Sequence, residues 1–294
     1  MRKEQYGPFP FVPITRRPKL TWPNGARLAL WIIPNVEFFV LNHGMPGDEN
    51  QRPDPNAKHP DVRKWSQREY GNRVGFWRMA EVLRRYDIRA TVALNSLMCD
   101  SHPEIVQSMV DWKWELMGHC QSNTKRLTEV PDDREEIKAT LDRIEAFSGK
   151  RPAGWLGAGL EETWNSLDHM ADLGVKYICD WVADDQPFLM NLDGKRMVSI
   201  PYSYDTNDIP IFIYKKYTVS ECEALLKRQF DTLYREGEKS GRVMAICIHP
   251  WVIGVAHRIG ALDRALEYIC GHAGVWKATG SEIVDHYLST NPTV

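Results

Sequence analysis

The sequence predicts a single α/β domain built on a parallel sheet. Apolar, strand-like runs and amphipathic helical stretches alternate from one end of the 294-residue chain to the other. That is the pattern of parallel strands joined by helices. Four stretches, Asn35-Val36-Glu37, Gly118-His119, Arg151-Pro152 with Trp155, and His249-Pro250, set polar or ionisable residues at the ends of apolar runs. In barrels of parallel strands that end carries the chemistry. No internal repeat, low-complexity tract or linker divides the chain, so residues 1–294 read as one catalytic domain. Periodicity by itself leaves a barrel and an open doubly wound sheet both standing.

The elements follow in order. Residues 1–26 are rich in proline and aromatics and close on Trp22-Pro23-Asn24-Gly25, an ordered arm that finishes in a turn. Residues 27–33 form the first strand, with Pro34 as its stop. Residues 42–66 are dense in Pro, Gly, Asp and Asn; a loop this long is a lid, a binding loop or an oligomer contact. The spacing of Val74, Trp77, Met79, Val82, Leu83 and Tyr86 predicts a helix over 73–86. A strand at 89–94 and a short helix opened by His102-Pro103-Glu104 precede the strand into His119. Pro131-Asp132-Asp133 starts a helix with an acidic first turn and Gly149 past its end. Residues 151–156 read as a strand, 160–173 as a helix, 175–179 as a strand, and 197–201 and 209–213 as strands. Ser220 and Glu223 are spaced as a capping box for a helix running to Arg235. A strand at 242–248, a helix at 259–270, a strand near Trp276 and a helix over 281–288 close the chain.

The bulk numbers narrow the function. A net charge of −2 gives no reason to expect nucleic acid or an anionic membrane as partner. The purest apolar run, 28–33, is far too short to span a bilayer. Met1-Arg2-Lys3-Glu4-Gln5 has no apolar stretch behind it and does not read as a secretory signal. The six cysteines contain no Cys-x-x-Cys pair, so the expectation is reduced thiols in the cytoplasm. Cys120, beside His119, is weighed as a nucleophile and set aside, since neighbours on a strand face opposite ways. There is no Gly-x-Gly-x-x-Gly and no Gly-Lys-Ser/Thr phosphate loop, which turns the reading away from nucleotide enzymes.

The strand-end residues form a chemical set. Glu37 supplies a carboxylate for base or metal-ligand work. His119 and His249 can move protons near neutral pH or bind metal. Arg151 can hold a carboxylate or stabilise negative charge, and Asp180 can orient Arg151 or a histidine. Such a set is what water attack on an amide or ester carbonyl requires. Substrate-binding candidates are Arg73, Asn123, Trp155, Trp181, Asp184 and Trp251. The bland alternatives are a structural histidine after a strand, an Arg-Pro surface turn at 151–152, a solvated loop at 184–185, and aromatics that serve only the core.

Six motifs in order give a resemblance. Tyr6-Gly7 with Trp22-Pro23-Asn24-Gly25-Ala26-Arg27, Glu69-Tyr70-Gly71-Asn72-Arg73-Val74-Gly75-Phe76-Trp77-Arg78, and Arg151-Pro152-Ala153-Gly154-Trp155 are the first three. Tyr177 to Pro187, with Asp180 and Asp184-Asp185-Gln186-Pro187, His249-Pro250-Trp251-Val252-Ile253-Gly254, and Gly274-Val275-Trp276-Lys277-Ala278-Thr279 complete the set. Together they resemble the polysaccharide deacetylase superfamily and, within it, the allantoinase-like branch that acts on cyclic ureides and imides. The resemblance implies a distorted (β/α) barrel of about seven strands, hydrolysis of a non-peptide C–N bond in a small-molecule substrate, and a homo-oligomer, dimer or tetramer.

The sequence departs from the metal-dependent members at two positions. They carry an Asp-Asp pair after the first strand and two histidines spaced His-x-x-x-His. Here Glu37 falls at the base position, Phe38 at a metal-ligand position, and Asn123 at the second histidine. The expectation is therefore no tightly bound metal, with zinc on Glu37 and His119 as the alternative. The expected reaction is opening of a cyclic amide. Water sits between Glu37 and His119, His249 protonates the leaving nitrogen, and Arg151 or Arg73 orients groups or stabilises charge. The alternatives are a metal-dependent N- or O-deacetylase of a carbohydrate or small acetylated substrate, and a non-hydrolytic or inactive descendant of the fold.

Overall fold

The computed structural model describes residues 6–45 and 60–291. Its centre is β1 (Leu28–Val36), nine residues buried at every position. The remaining strands are β2 (Thr91–Leu94), β3 (Glu115–Gly118), β4 (Gly154–Trp155), β5 (Tyr177–Ile178), β6 (Phe188–Leu189), β7 (Val198–Ser199), β8 (Arg242–Ile248) and β9 (Val275–Lys277). They run β6-β7-β5-β4-β3-β2-β1-β8, with β9 also beside β1. Every pairing is parallel except β6 with β7. The sheet curls into a (β/α) half-barrel. Irregular chain meets its free β8 edge. Cys247 N–H donates to Thr206 O at 3.1 Å and Val243 N–H to Asp185 O at 2.9 Å.

The pleat divides β1 between two cores. Leu28, Leu30 and Ile32 face outward onto the helices, with Phe76, Leu83, Phe230 and Leu262. Ala29, Trp31 and Ile33 face into the barrel, with Ala93, Met117, Cys179 and Cys247. The helices are α1 (Val62–Tyr70), α2 (Phe76–Arg85), α3 (Met98–Ser101), α4 (Pro103–Asp111), α5 (Asp133–Ser148), α6 (Ser166–Asp172), α7 (Val219–Glu236), α8 (Ile259–Cys270) and α9 (Gly280–Thr290).

Several expectations need correction. β1 does not stop at Pro34. Even-numbered residues of β1 bond toward β9 and β2, and pairing with β2 begins only at Asn35, so no ladder uses the N–H that Pro34 lacks. The helix expected over 73–86 starts at Val62, where Asp61 caps Lys64 N–H at 3.0 Å. It then passes through a π-turn, Gly71–Gly75, into α2. Residues 209–213 are not a strand but part of a second π-turn, Pro210–Tyr214. Proline suits a first helical turn, and the Asn207 side chain accepts from Ile209 N–H at 2.9 Å. The capping box of α7 is Thr218 with Glu221, not Ser220 with Glu223. The helix expected over 160–173 shrinks to α6, and β6 was not foreseen. The start of the arm and residues 46–59 of the proposed long loop lie outside the described residues.

Candidate active site

The C-terminal ends of β1, β2 and β3 are laced together by asparagines. Asn95, fully buried after β2, accepts from Phe38 N–H at 2.8 Å and donates its amide to His119 O. Asn123 N–H returns to Phe38 O at 2.9 Å. Glu37 and His119 are thereby fixed face to face, with Glu37 Oε1 3.7 Å from His119 Nε2. His249, directly after β8, brings its Nε2 to 3.7 Å from the same oxygen. Asn123 Nδ2 donates to Glu37 Oε1 at 2.5 Å, while Oε2 is buried and meets no hydrogen-bond partner among the described residues.

The two imidazoles are set differently. His119 Nδ1 lies 2.7 Å from Leu156 O, and a carbonyl only accepts, so Nδ1 carries the proton and Nε2 faces Glu37. His249 Nδ1 lies 2.6 Å from Asp208 Oδ1. Asp208 Oδ2 accepts from the backbone N–H groups of His249 and Ile253, at 2.8 and 3.1 Å. Burial opposes charge on His249, yet the Asp208 and Glu37 carboxylates outweigh it and hold the imidazole above its ordinary value. Burial likewise opposes charge on Glu37. His249 first, then His119 and Arg68, overcome it and hold the carboxyl below its ordinary value. The two shifts both favour the charged forms, a carboxylate at Glu37 and an imidazolium at His249.

α1 supplies the second layer. Arg68 is buried and stacks over the Trp251 ring at 4.2 Å. Its helix lies so close to the turn after β8 that a Cβ on Gly71 would meet Trp251 N at 2.6 Å. One on Gly75 would meet Pro250 O at 2.1 Å. The Glu-Tyr-Gly-x-Arg-x-Gly stretch thus seats a helix on the His249 turn. Gly75→Ala is expected to lower stability by about 1–3 kcal/mol in chemical denaturation, since the obstacle is backbone, and to impair the His249 turn with it.

Of the residues expected from sequence, Glu37, His119, His249, Asn123 and Trp251 come together, and Asp180 joins from β5 through Gly157 N–H at 2.8 Å. The others do not. Arg151 lies before β4, at the opposite end of the strands. It is held by Asp142 at 2.8 Å and Glu145 at 2.7 Å on α5. Arg73 is exposed on the π-turn. Trp155 is wholly buried between sheet and α5, with Leu141 and Met170. Asp184 is clamped by Arg17 of the arm. Trp181 packs against Phe9 at 5.4 Å. Cys120 is buried, which pushes its thiol up to about 12 and leaves it inert. Asp208 and Arg68 were missed. Asp208 sits beside the π-turn misread as a strand, and Arg68 lies before the expected helix start.

A cavity of about 1020 Å³ opens between the arm and the β8 edge, lined by Phe11, Arg17, Asp184, Tyr204 and Ala245 among others. No cluster residue lines it, so volume does not locate the chemistry.

A divalent metal does not fit the donors present. Asn123 turns an N–H toward Glu37 Oε1, and its oxygen accepts from Arg126 Nη1 at 3.4 Å, which fixes that orientation. Phe38 has no donor atom and packs edge-on to His102 at 6.3 Å. Among the described residues no three His, Cys, Asp or Glu are arranged to hold a metal ion.

Comparisons with known proteins find chains similar to this one. Residues 59–178 match the family model described as polysaccharide deacetylase. A putative polysaccharide deacetylase of Schizosaccharomyces pombe is 25% identical over 92% of this chain and 93% of its own length. Among solved structures, the PuuE allantoinase superposes with a TM-score of 0.83 at 27% identity, covering 95% of this chain and 96% of that one. A probable polysaccharide deacetylase from Pseudomonas aeruginosa PAO1 superposes with a TM-score of 0.83 at 26% identity, covering 95% and 97%.

Proposed function

We propose that the chain opens the ring of a cyclic amide, of ureide, hydantoin or imide type, by hydrolysing a C–N bond without a tightly bound metal. The observation that supports this most directly is one buried carboxylate facing two imidazoles, one anchored by a carbonyl and the other by a carboxylate. Water held between Glu37 and His119 attacks the ring carbonyl, and Glu37 takes its proton. His249 Nε2 gives a proton to the departing ring nitrogen, while Asp208 stabilises the imidazolium. The charge-stabilising role expected of Arg151 or Arg73 passes to Arg68, whose charge reaches Glu37. The products are a carboxylate and a freed N–H group, so atoms and charge balance.

The second reading is a metal-dependent deacetylase, favoured by the domain match and the names of the relatives. One assay separates the two. Proton or acetate release is followed from allantoin, hydantoin, dihydrouracil, succinimide and N-acetylglucosamine oligomers, with and without a chelator. Chelator-resistant opening of a cyclic compound is expected. Chelator-sensitive release of acetate would replace the first reading with the second, and inertness toward the whole panel would favour a non-hydrolytic descendant. A cytoplasmic setting and a homo-oligomer belong to the same proposal. Among the described residues no helix is long and apolar enough to cross a membrane.

A further inference from the structure

One peptide group joins His119 to a second pair of carboxyls. The Leu156 carbonyl accepts from His119 Nδ1 at 2.7 Å, and the N–H of the same peptide bond, on Gly157, donates to Asp180 Oδ1 at 2.8 Å. All of these groups are buried. Gly157 has to be glycine for this contact, because a Cβ there would stand 2.9 Å from Asp180 Oδ2 and 2.8 Å from Glu161 O. Asp180 Oδ2 is itself buried with no hydrogen-bond partner among the described residues, and the Glu162 carboxyl lies beside it. Glu162 Oε1 accepts from Trp181 Nε1 at 3.1 Å, and Trp181 is covered by Phe9 of the arm.

We propose that Asp180 is a positioning residue for His119, acting through the Leu156–Gly157 peptide. A carboxylate accepting from an amide N–H polarises that amide, and its carbonyl becomes a stronger acceptor. The carbonyl then grips the Nδ1 proton of His119 and keeps Nε2 aimed at Glu37. This is the arrangement by which outer partners fix the tautomer of a working histidine. Burial pushes both carboxyls up, Glu162 further because Asp180 repels its charge. The other charged groups about the site, Glu37, His249 and Arg68, act on the far side of His119 from this peptide.

The role in turnover rests on the hydrolytic reading of the site; the hydrogen-bond relay does not. The test is therefore read twice, on the full chain labelled with ¹⁵N. The first reading is the proton shift of the Gly157 amide and of His119 Nδ1–H, assigned with His119→Gln. In Asp180→Asn both signals are expected to move upfield. If Asp180→Asn folds and moves the Gly157 amide while His119 Nδ1–H stays in place, the relay is wrong. The second reading is turnover of whichever ring substrate is found. Asp180→Asn is expected to lower kcat roughly tenfold with KM nearly unchanged; an unchanged kcat beside a shifted Nδ1–H would overturn the role in turnover. A parent protein inert on all rings, with the shifts as expected, would sink the hydrolytic reading and leave the relay standing.

Discussion

Glu37→Gln is expected to abolish nearly all turnover, lowering kcat by about 10²-fold or more, while the protein stays folded. The amide matches the carboxylate in shape but takes no proton from water. Glu37 is the group on which the whole cluster converges, with one oxygen facing both imidazoles and the other unbonded. Removing its charge also takes from His249 one of the two carboxylates that face it, leaving Asp208, so loss of rate is accompanied by a change in the pH profile. Steady-state kinetics on the ring substrate, beside thermal unfolding of the variant, checks this. A folded Glu37→Gln protein with turnover within about threefold of the parent removes Glu37 as the base.

Asp208→Asn is expected to have the next largest effect, again near 10²-fold in kcat, with a specific direction in pH. Asp208 and Glu37 hold the His249 imidazole above its ordinary value against the cost of burial. As general acid, His249 acts in its protonated form, so the rate falls as pH rises through its pKa. Removing the Asp208 charge makes that proton easier to lose, and the alkaline limb of kcat against pH moves to lower pH. An unmoved alkaline limb would mean that another group is the acid. The same sign governs stability. The Asp208–His249 interaction contributes fully below the unfolded histidine pKa and is lost as pH rises through the folded value.

The α/β class was legible because strand and helix periods alternate without a break. β8 and α8 were legible to the residue, since each combines uniform patterning with clear ends. Short strands were placed but not bounded. β4, β5 and β7 fall within the strands expected at 151–156, 175–179 and 197–201 but are only two residues long, because neighbours on either side set their ends and local patterning does not contain those neighbours. Glu37, His119 and His249 could be singled out because each follows an apolar strand. Asp208 and Arg68 could not, because a π-turn disguised the first and a helix start placed too late concealed the second. Arg151 misled for the opposite reason. Its motif lies at the entrance of β4 rather than its exit, and two α5 carboxylates absorb its charge.

The π-turn at Gly71–Gly75 has a consequence for phase. Phe76 N–H bonds back to Gly71 O, five residues away, so the helix carries one residue more than an α-helical turn would hold. That residue advances α1 by about 100° against α2. It lets Phe76, Met79 and Leu83 face the core while Arg68 turns toward Trp251 and Glu37. A chain shortened by one position within 71–75 would keep its core contacts and rotate its guanidinium away from the carboxylate. The length of this segment, as much as its composition, therefore decides whether the mouth of the barrel holds a cation.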